Sequence, residues 1–122
     1  MTIDPVAFFS DPWWSRVDVS QVTDGDTYRL YRDKHQRDFN EESYRLQGID
    51  TWERSEPLGA AATHFAVGWF AEHRHDVAKF PFVIHTDRDK MTFNRYVADV
   101  WCSQGHHLAT ALREAGFEKG VT

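Results

Sequence analysis

The sequence is poor in cysteine. Its 122 residues contain a single one, Cys102, which excludes a disulfide within the chain and any zinc site built from several cysteines. The neighbouring Val100 and Trp101 belong to an alternating apolar run, so we expect Cys102 to be a small buried side chain.

Long hydrophobic runs are missing as well. The apolar piece near the amino terminus, residues 6–9 (VAFF), is too short for the core of a signal peptide. No later segment approaches the length of about 20 residues that a membrane-spanning helix needs. We therefore expect a cytoplasmic protein that makes no contact with a membrane.

Basic residues are in the minority, because 14 Lys and Arg stand against 19 Asp and Glu, for a net charge of -5. Non-specific affinity for nucleic acid comes mostly from neutralising phosphates, so this balance argues against a protein that coats nucleic acid. It is compatible with an enzyme that meets a phosphate through a divalent cation, since such a site is itself acidic.

Aromatic residues are plentiful, at 15% of the chain with 5 Trp and 9 Phe, enough to fill a core. The length predicts one domain over residues 1–122. Residues 1–13 form an irregular or short helical lead-in in this interpretation, and the lead-in packs its aromatic side chains locally. The alternative is that these aromatics form a surface for a protein partner or for self-association.

The distribution of β-branched and aromatic residues predicts five short strands, at residues 17–22, 27–31, 43–49, 80–86 and 96–102. Helical periodicity appears at residues 59–73 and again at 108–115, where Gly116 is placed to end the helix. The polar stretches 32–42 and 87–90 are predicted to be loops. This order indicates a mixed β/α fold: a five-stranded Greek-key β-barrel of the OB type, with a helix after strand 3 and a C-terminal helix.

Acidic residues flank two of the predicted strands. Residues 24–27 (DGDT) are typical of a hairpin turn when taken alone. Farther along, Arg45 lies on the third strand, Asp50 at its end and Glu53 in the following loop. Alternate residues of a strand share a face, so Arg45 can point toward the region that Asp50 reaches. The same three residues would also suit a solvated loop.

Three blocks in this order resemble the staphylococcal nuclease (thermonuclease) family. They are DGDT at 24–27, RLQGIDTWE at 45–53 and FNRYVA at 93–98, and the resemblance covers about residues 15–117. It implies an OB-fold barrel that binds one Ca²⁺ and hydrolyses phosphodiester bonds of DNA and RNA by in-line attack of a water associated with the metal.

The resemblance also implies individual roles. Asp26 and Asp50 match the carboxylate ligands of Ca²⁺, and Thr51 matches the ligand that acts through its backbone carbonyl. Glu53 matches the proposed general base. Arg45 and Arg95 match the arginines that bind the scissile phosphate, where fixed guanidinium groups stabilise the charge of the transition state.

The sequence departs from the family pattern at several positions. Trp52 stands where the family usually has proline, and residues 92–94 (TFN) replace its usual lysine, tyrosine and glycine. The tyrosines and third helix that often follow are not found before Thr122. These departures imply weaker binding of the nucleotide, with Arg88, Lys90 or a partner as compensation.

Two other classes of function fit the same residues. One is a non-catalytic OB-fold module that binds nucleic acid or a protein, which the acidic balance and the missing tyrosines favour. The other is a regulatory or host-interaction protein of a phage or bacterium that works through a partner bound by the aromatic lead-in.

Overall fold

The computed structural model describes residues 14–33, 39–74, 80–92 and 95–119. The predicted lead-in at residues 1–13 lies outside these ranges, as do residues 93 and 94 of the third block. Within them the strands are β1 (Trp14–Asp24), β2 (Thr27–Asp33), β3 (Phe39–Leu46), β4 (Phe82–Thr92) and β5 (Arg95–Cys102). The helices are α1 (Pro57–Glu72) and α2 (Leu108–Glu114).

The strands form a closed barrel in the order β1-β2-β3-β5-β4. All neighbouring pairs are antiparallel except β3 with β5, which run parallel with Arg45 opposite Val97. Register shifts in β1, between Val19 and Gln21 and again after Val22, bend this long strand around the barrel. The prediction of a mixed β/α fold built on a five-stranded OB-like barrel is confirmed.

Inward-facing side chains of every strand fill the barrel, and both helices add to the same core. The fully buried members include Val17, Tyr28, Leu30, Tyr44, Leu46, Ile84 and Val100. Phe70 of α1 packs against Phe82 with ring centroids 4.9 Å apart. Cys102 is buried, as predicted, and its sulfur accepts the N–H of His106 at 3.3 Å.

The helix ends follow from local sequence. Pro57 occupies the first turn of α1, where its fixed φ favours helix entry and its missing N–H costs nothing. At the end of α2, Gly116 has a φ of 87°, and the N–H of Phe117 returns to the carbonyl of Leu112 at 3.0 Å. The predicted glycine cap is therefore confirmed.

Two predicted loops differ from the structure. The loop at 32–42 is wrong at both ends, because residues 32–33 and 39–42 belong to β2 and β3, with Tyr31 opposite Glu41 in the ladder; its residues 34–38 lie outside the described ranges. The loop at 87–90 is wrong, since these residues lie within β4. In the first case, polar side chains cover the outer face of the hairpin, where Arg29 pairs with Glu41 at 2.7 Å. A solvated strand face and a loop share the same polar composition, so composition alone did not separate them.

Candidate active site

The turn between β1 and β2 carries two buried carboxylates. Asp24 and Thr27 are paired in the ladder, so Gly25 and Asp26 form a two-residue connection and the predicted hairpin turn is confirmed. Asp24 is 9% exposed and Asp26 only 6%. Oδ1 of Asp24 accepts the N–H of Asp26 at 3.3 Å, which makes Asp24 a turn-forming residue.

Gly25 is required by space. A Cβ at this position would lie 2.7 Å from Oγ1 of Thr51 and 2.7 Å from Cβ of Ala62, closer than van der Waals contact allows. A left-handed backbone is not the reason, since that conformation occurs at Gly48, Gly105 and Gly116. The turn, the loop after β3 and helix α1 therefore meet at Gly25.

The Asp26 carboxylate contacts three elements. Its Oδ2 accepts the backbone N–H of Thr51 at 3.0 Å, and its Oδ1 accepts the Thr27 hydroxyl at 3.1 Å. Nη2 of Arg45, on β3, lies 3.6 Å from Oδ2. Asp26 is thus fixed by the loop that carries Thr51 as well as by its own turn.

Arg45 lies between the two predicted metal ligands. The nitrogen that approaches Asp26, Nη2, also donates to Oδ1 of Asp50 at 2.9 Å. The Arg45 side chain is 25% exposed and that of Asp50 is 60% exposed. In the part of the chain that the structure describes, these contacts use Nη2 alone, so the rest of the guanidinium fork remains for a ligand.

Arg95, at the start of β5, joins the same cluster through Thr27. Its Nη1 donates to the Thr27 hydroxyl at 3.0 Å, and that hydroxyl in turn donates to Asp26. The Nε of Arg95 is buried without a hydrogen-bond partner among the described residues. The contacts form one continuous series, Asp50, Arg45, Asp26, Thr27 and Arg95, which we name the arginine–carboxylate chain.

Burial destabilises the ionised form of the Asp26 carboxylate. Removal from water raises the pKa of Asp26 above its ordinary 3.8, and the hydrogen bond and negative charge of Asp24 raise it further. The Thr51 N–H and the charge of Arg45 lower the pKa, but they do not offset burial. The ionised form of Asp26 is therefore only partly stabilised by its neighbours.

This shift predicts a pH dependence of stability. The folded protein holds the Asp26 proton more tightly than the unfolded chain, so the contribution is complete below about pH 3.8 and is lost as the pH rises through the raised folded value. We expect urea denaturation to show this decrease in the free energy of unfolding in the wild type. In Asp26→Asn the same interval should lack it, and an identical slope in both proteins would contradict the assignment.

Tyr28 supports the turn from inside the barrel. It is 0% exposed, and its hydroxyl donates to the carbonyl of Gly25. Burial raises its pKa well above 10.0, so the hydroxyl remains a donor across the range in which the protein is folded. The sequence predicted no role for Tyr28, because the hydrogen-bond partner of a tyrosine hydroxyl cannot be inferred from its place in a strand.

Replacing Tyr28 by phenylalanine removes this donor and leaves a buried carbonyl unpaired. We expect Tyr28→Phe to lower the free energy of unfolding by about 1 to 3 kcal/mol, measured by urea denaturation. The control is Tyr96→Phe on β5, where the ring is 38% exposed and the change should stay within about 0.5 kcal/mol. Equal effects in the two variants would exclude a specific role for the Gly25 hydrogen bond.

The loop after β3 holds the remaining predicted residues. Thr51 is 5% exposed, and its hydroxyl is buried without a hydrogen-bond partner among the described residues. Glu53 is exposed, and its backbone carbonyl accepts the N–H of Glu56 at 2.9 Å. The structure thus joins Asp26, Asp50 and Arg45 directly and Arg95 through Thr27, with Glu53 two residues beyond Thr51 in sequence.

The oxygen donors of this cluster suit a hard cation. The described ranges contain no group of three or more His, Cys, Asp and Glu side chains arranged to hold a metal ion. Asp26 and Asp50 nevertheless approach one common nitrogen, and Asp26 carries charge that burial destabilises. Two carboxylates with a backbone carbonyl from Thr51 would form an oxygen-only set with positions left for water or phosphate.

No helix within the described ranges is long and apolar enough to cross a membrane. A comparison with protein-family models found no family that matches the chain. A search of curated proteins likewise found no match.

Proposed function

We propose that the protein is a calcium-dependent nuclease of the staphylococcal nuclease type, which hydrolyses phosphodiester bonds of DNA, RNA or both in the cytoplasm. The observation that carries the proposal is the arginine–carboxylate chain. It brings two arginines and two carboxylates from four parts of the sequence into continuous contact. The proposal includes the Greek-key OB topology, with one helix inserted after β3 and another at the C-terminal end.

The two arginines supply the charge that a phosphodiester requires. Attack of water builds negative charge on the phosphate oxygens, and a guanidinium fork already in position stabilises that charge without reorganising. Arg95 is fixed by the bond from its Nη1 to the Thr27 hydroxyl. Arg45 is held by Asp26 and Asp50, so its fork is oriented before substrate arrives.

Asp26, Asp50 and the carbonyl of Thr51 are the residues that would hold calcium. When bound, the ion supplies a positive charge beside the phosphate and lowers the cost of placing an anion against an acidic site. The raised pKa of Asp26 supports this assignment, because a cation would compensate the carboxylate that burial destabilises.

Glu53 is the proposed general base. Its carboxylate has no hydrogen bond or ion pair within the described part of the chain, and its side chain is exposed. A base must reach the attacking water and accept its proton. A carboxylate without a competing partner is suited to this task.

The test is a cleavage assay. The full chain is incubated with single-stranded and double-stranded DNA and with RNA, in the presence of Ca²⁺ and then of a chelator. Cleavage that needs Ca²⁺ is the expected result, and absence of cleavage on every substrate would overturn the proposal. Glu53→Gln should lose the activity, while Glu56→Gln, an exposed glutamate whose side chain does not cap α1, should keep it.

A non-catalytic binding module is the competing function. The observation that favours it is the ion pair of Arg45 with Asp50, because a cation for Asp50 already exists within the chain. Calorimetric titration with Ca²⁺ separates the two functions. A nuclease site should release heat that disappears in Asp26→Asn and Asp50→Asn, whereas a module without the site should show none.

A further inference from the structure

The segment after α2 lies against the loop that carries Asp50. We define residues 116–119 as the C-terminal strap. The backbone N–H of Lys119 donates to the carbonyl of Asp50 at 2.6 Å. From the last turn of α2, Nη2 of Arg113 donates to the carbonyl of Gly48 at 2.9 Å. The strap and α2 therefore hold the loop at two backbone oxygens.

The strap is itself fixed in place. Gly116 turns the chain with a φ of 87°, and the ring of Phe117 packs against Phe65 of α1 at 5.5 Å. Nε of Arg113 pairs with Glu118 at 3.0 Å, so one guanidinium contacts both the strap and the loop. These contacts make the strap a defined support for the loop.

Asp50 needs such a support because burial does not immobilise it. Its side chain is 60% exposed, and the loop begins at Gly48, whose φ of 79° is left-handed. On the other side, Asp26 is held by two hydrogen bonds inside the fold. Arg45 holds the exposed Asp50 side chain, so the position of Asp50 depends on that bond and on the contacts that hold its backbone.

We infer that Arg113 and the backbone of Lys119 are positioning residues for Asp50, and that the strap sets the affinity of the site for a divalent cation. This inference rests on the proposed function. Groups that orient a metal ligand change metal affinity by about 10- to 100-fold when they are lost. The strap acts on the carbonyl side of Asp50, so its loss should loosen the loop at Asp50 and Thr51 while the barrel strands stay in place.

The decisive variant removes one backbone donor. Lys119→Pro deletes the N–H that contacts Asp50, while Lys119→Ala keeps it and serves as the matched control. We expect Lys119→Pro to weaken Ca²⁺ binding about 10-fold or more in calorimetry, with Lys119→Ala equal to wild type. Arg113→Ala should act in the same direction, and Glu118→Ala, which spares the bond to Gly48, should have the smaller effect.

Amide exchange gives a readout that does not depend on calcium. The Thr51 amide, which donates to Asp26, should exchange about 10-fold faster in Lys119→Pro than in Lys119→Ala, as expected if local opening increases. The Leu30 amide in the barrel should be unchanged. Equal Ca²⁺ affinity in the two variants, or equal acceleration at Thr51 and Leu30, would overturn the inference. If the wild type binds no Ca²⁺, the proposed function is wrong, and so is the role of the strap in setting the affinity for Ca²⁺. The exchange rate of the Thr51 amide then still decides whether the strap holds the loop.

Discussion

Replacing Arg45 by alanine is expected to lower the turnover of nucleic acid cleavage by about 10³ to 10⁵, the range seen when a transition-state arginine is removed. Arg95→Ala should have an effect of the same order. In the proposed function Arg45 places charge on the phosphate; in the structure it joins Asp26 to Asp50. Arg95 contributes through a fork anchored on the Thr27 hydroxyl.

The two proposed roles of Arg45 affect different quantities. Loss of its positive charge should lower the turnover. The same loss removes a cation that competes with Ca²⁺ for both carboxylates, so it should not lower the affinity for Ca²⁺. We therefore expect Arg45→Ala to bind Ca²⁺ at least as tightly as the wild type while turnover falls. Single-turnover cleavage and calorimetry measure the two quantities separately.

Arg29→Ala is the matched control for this experiment. Arg29 lies on the neighbouring strand β2, where it pairs with Glu41 on the exposed side of the hairpin. Its removal should change turnover less than twofold, because an exposed ion pair contributes little to stability. A loss below tenfold in Arg45→Ala, or an equal loss in Arg29→Ala, would contradict the role of Arg45.

Gly59→Ala is expected to destabilise the fold by about 3 kcal/mol, a large cost for adding one methyl group. Gly59 is buried in the first turns of α1, and a Cβ there would overlap the carbonyl group of Glu53. The contact involves backbone on both sides, so no side-chain rotation can relieve it. Helix α1 and the loop would have to separate, and that loop carries Thr51 and Glu53.

Gly68→Ala in the same helix provides the opposite outcome. A Cβ at Gly68 meets nothing within 4 Å, so alanine should stabilise the helix by up to about 1 kcal/mol. Urea denaturation of the two variants compares identical chemical changes nine positions apart in one helix. Equal stability of the two variants would show that the loop backbone leaves room for a methyl group at position 59.

Much of the fold could be predicted from local patterns. Alternation placed Tyr96, Ala98, Val100 and Cys102 on one face of β5; the last three are buried, whereas Tyr96 is 38% exposed. The helical period located α1, and a single glycine located the end of α2. Strand lengths could not be predicted in the same way, because β2, β3 and β4 continue into hairpins through polar segments, and an exposed strand shares its polar composition with a loop.

The candidate site was predicted residue by residue, but its internal contacts were not. The resemblance to the staphylococcal nuclease family pointed to Asp26, Arg45, Asp50 and Arg95, and the structure brings these residues together. The position of Arg45 between the carboxylates depends on the register of β3 against β2. The roles of Gly59 and Arg113 depend on a helix and a loop meeting in space, which no local pattern encodes.

Closure of the barrel has a consequence for refolding. β1, β2 and β3 pair as successive hairpins. The contact of Arg95 with Thr27 requires β5 to pair with β3, and closure of the barrel requires β4 to pair with β1. Such distant pairings form late, since the entropy of closing a long loop must be met first. A refolding intermediate with only the first three strands therefore has Asp26 and Arg45 but lacks the second arginine. Under the proposed function, cleavage activity should return with the slowest refolding phase, so a half-folded chain would not cleave the nucleic acid around it.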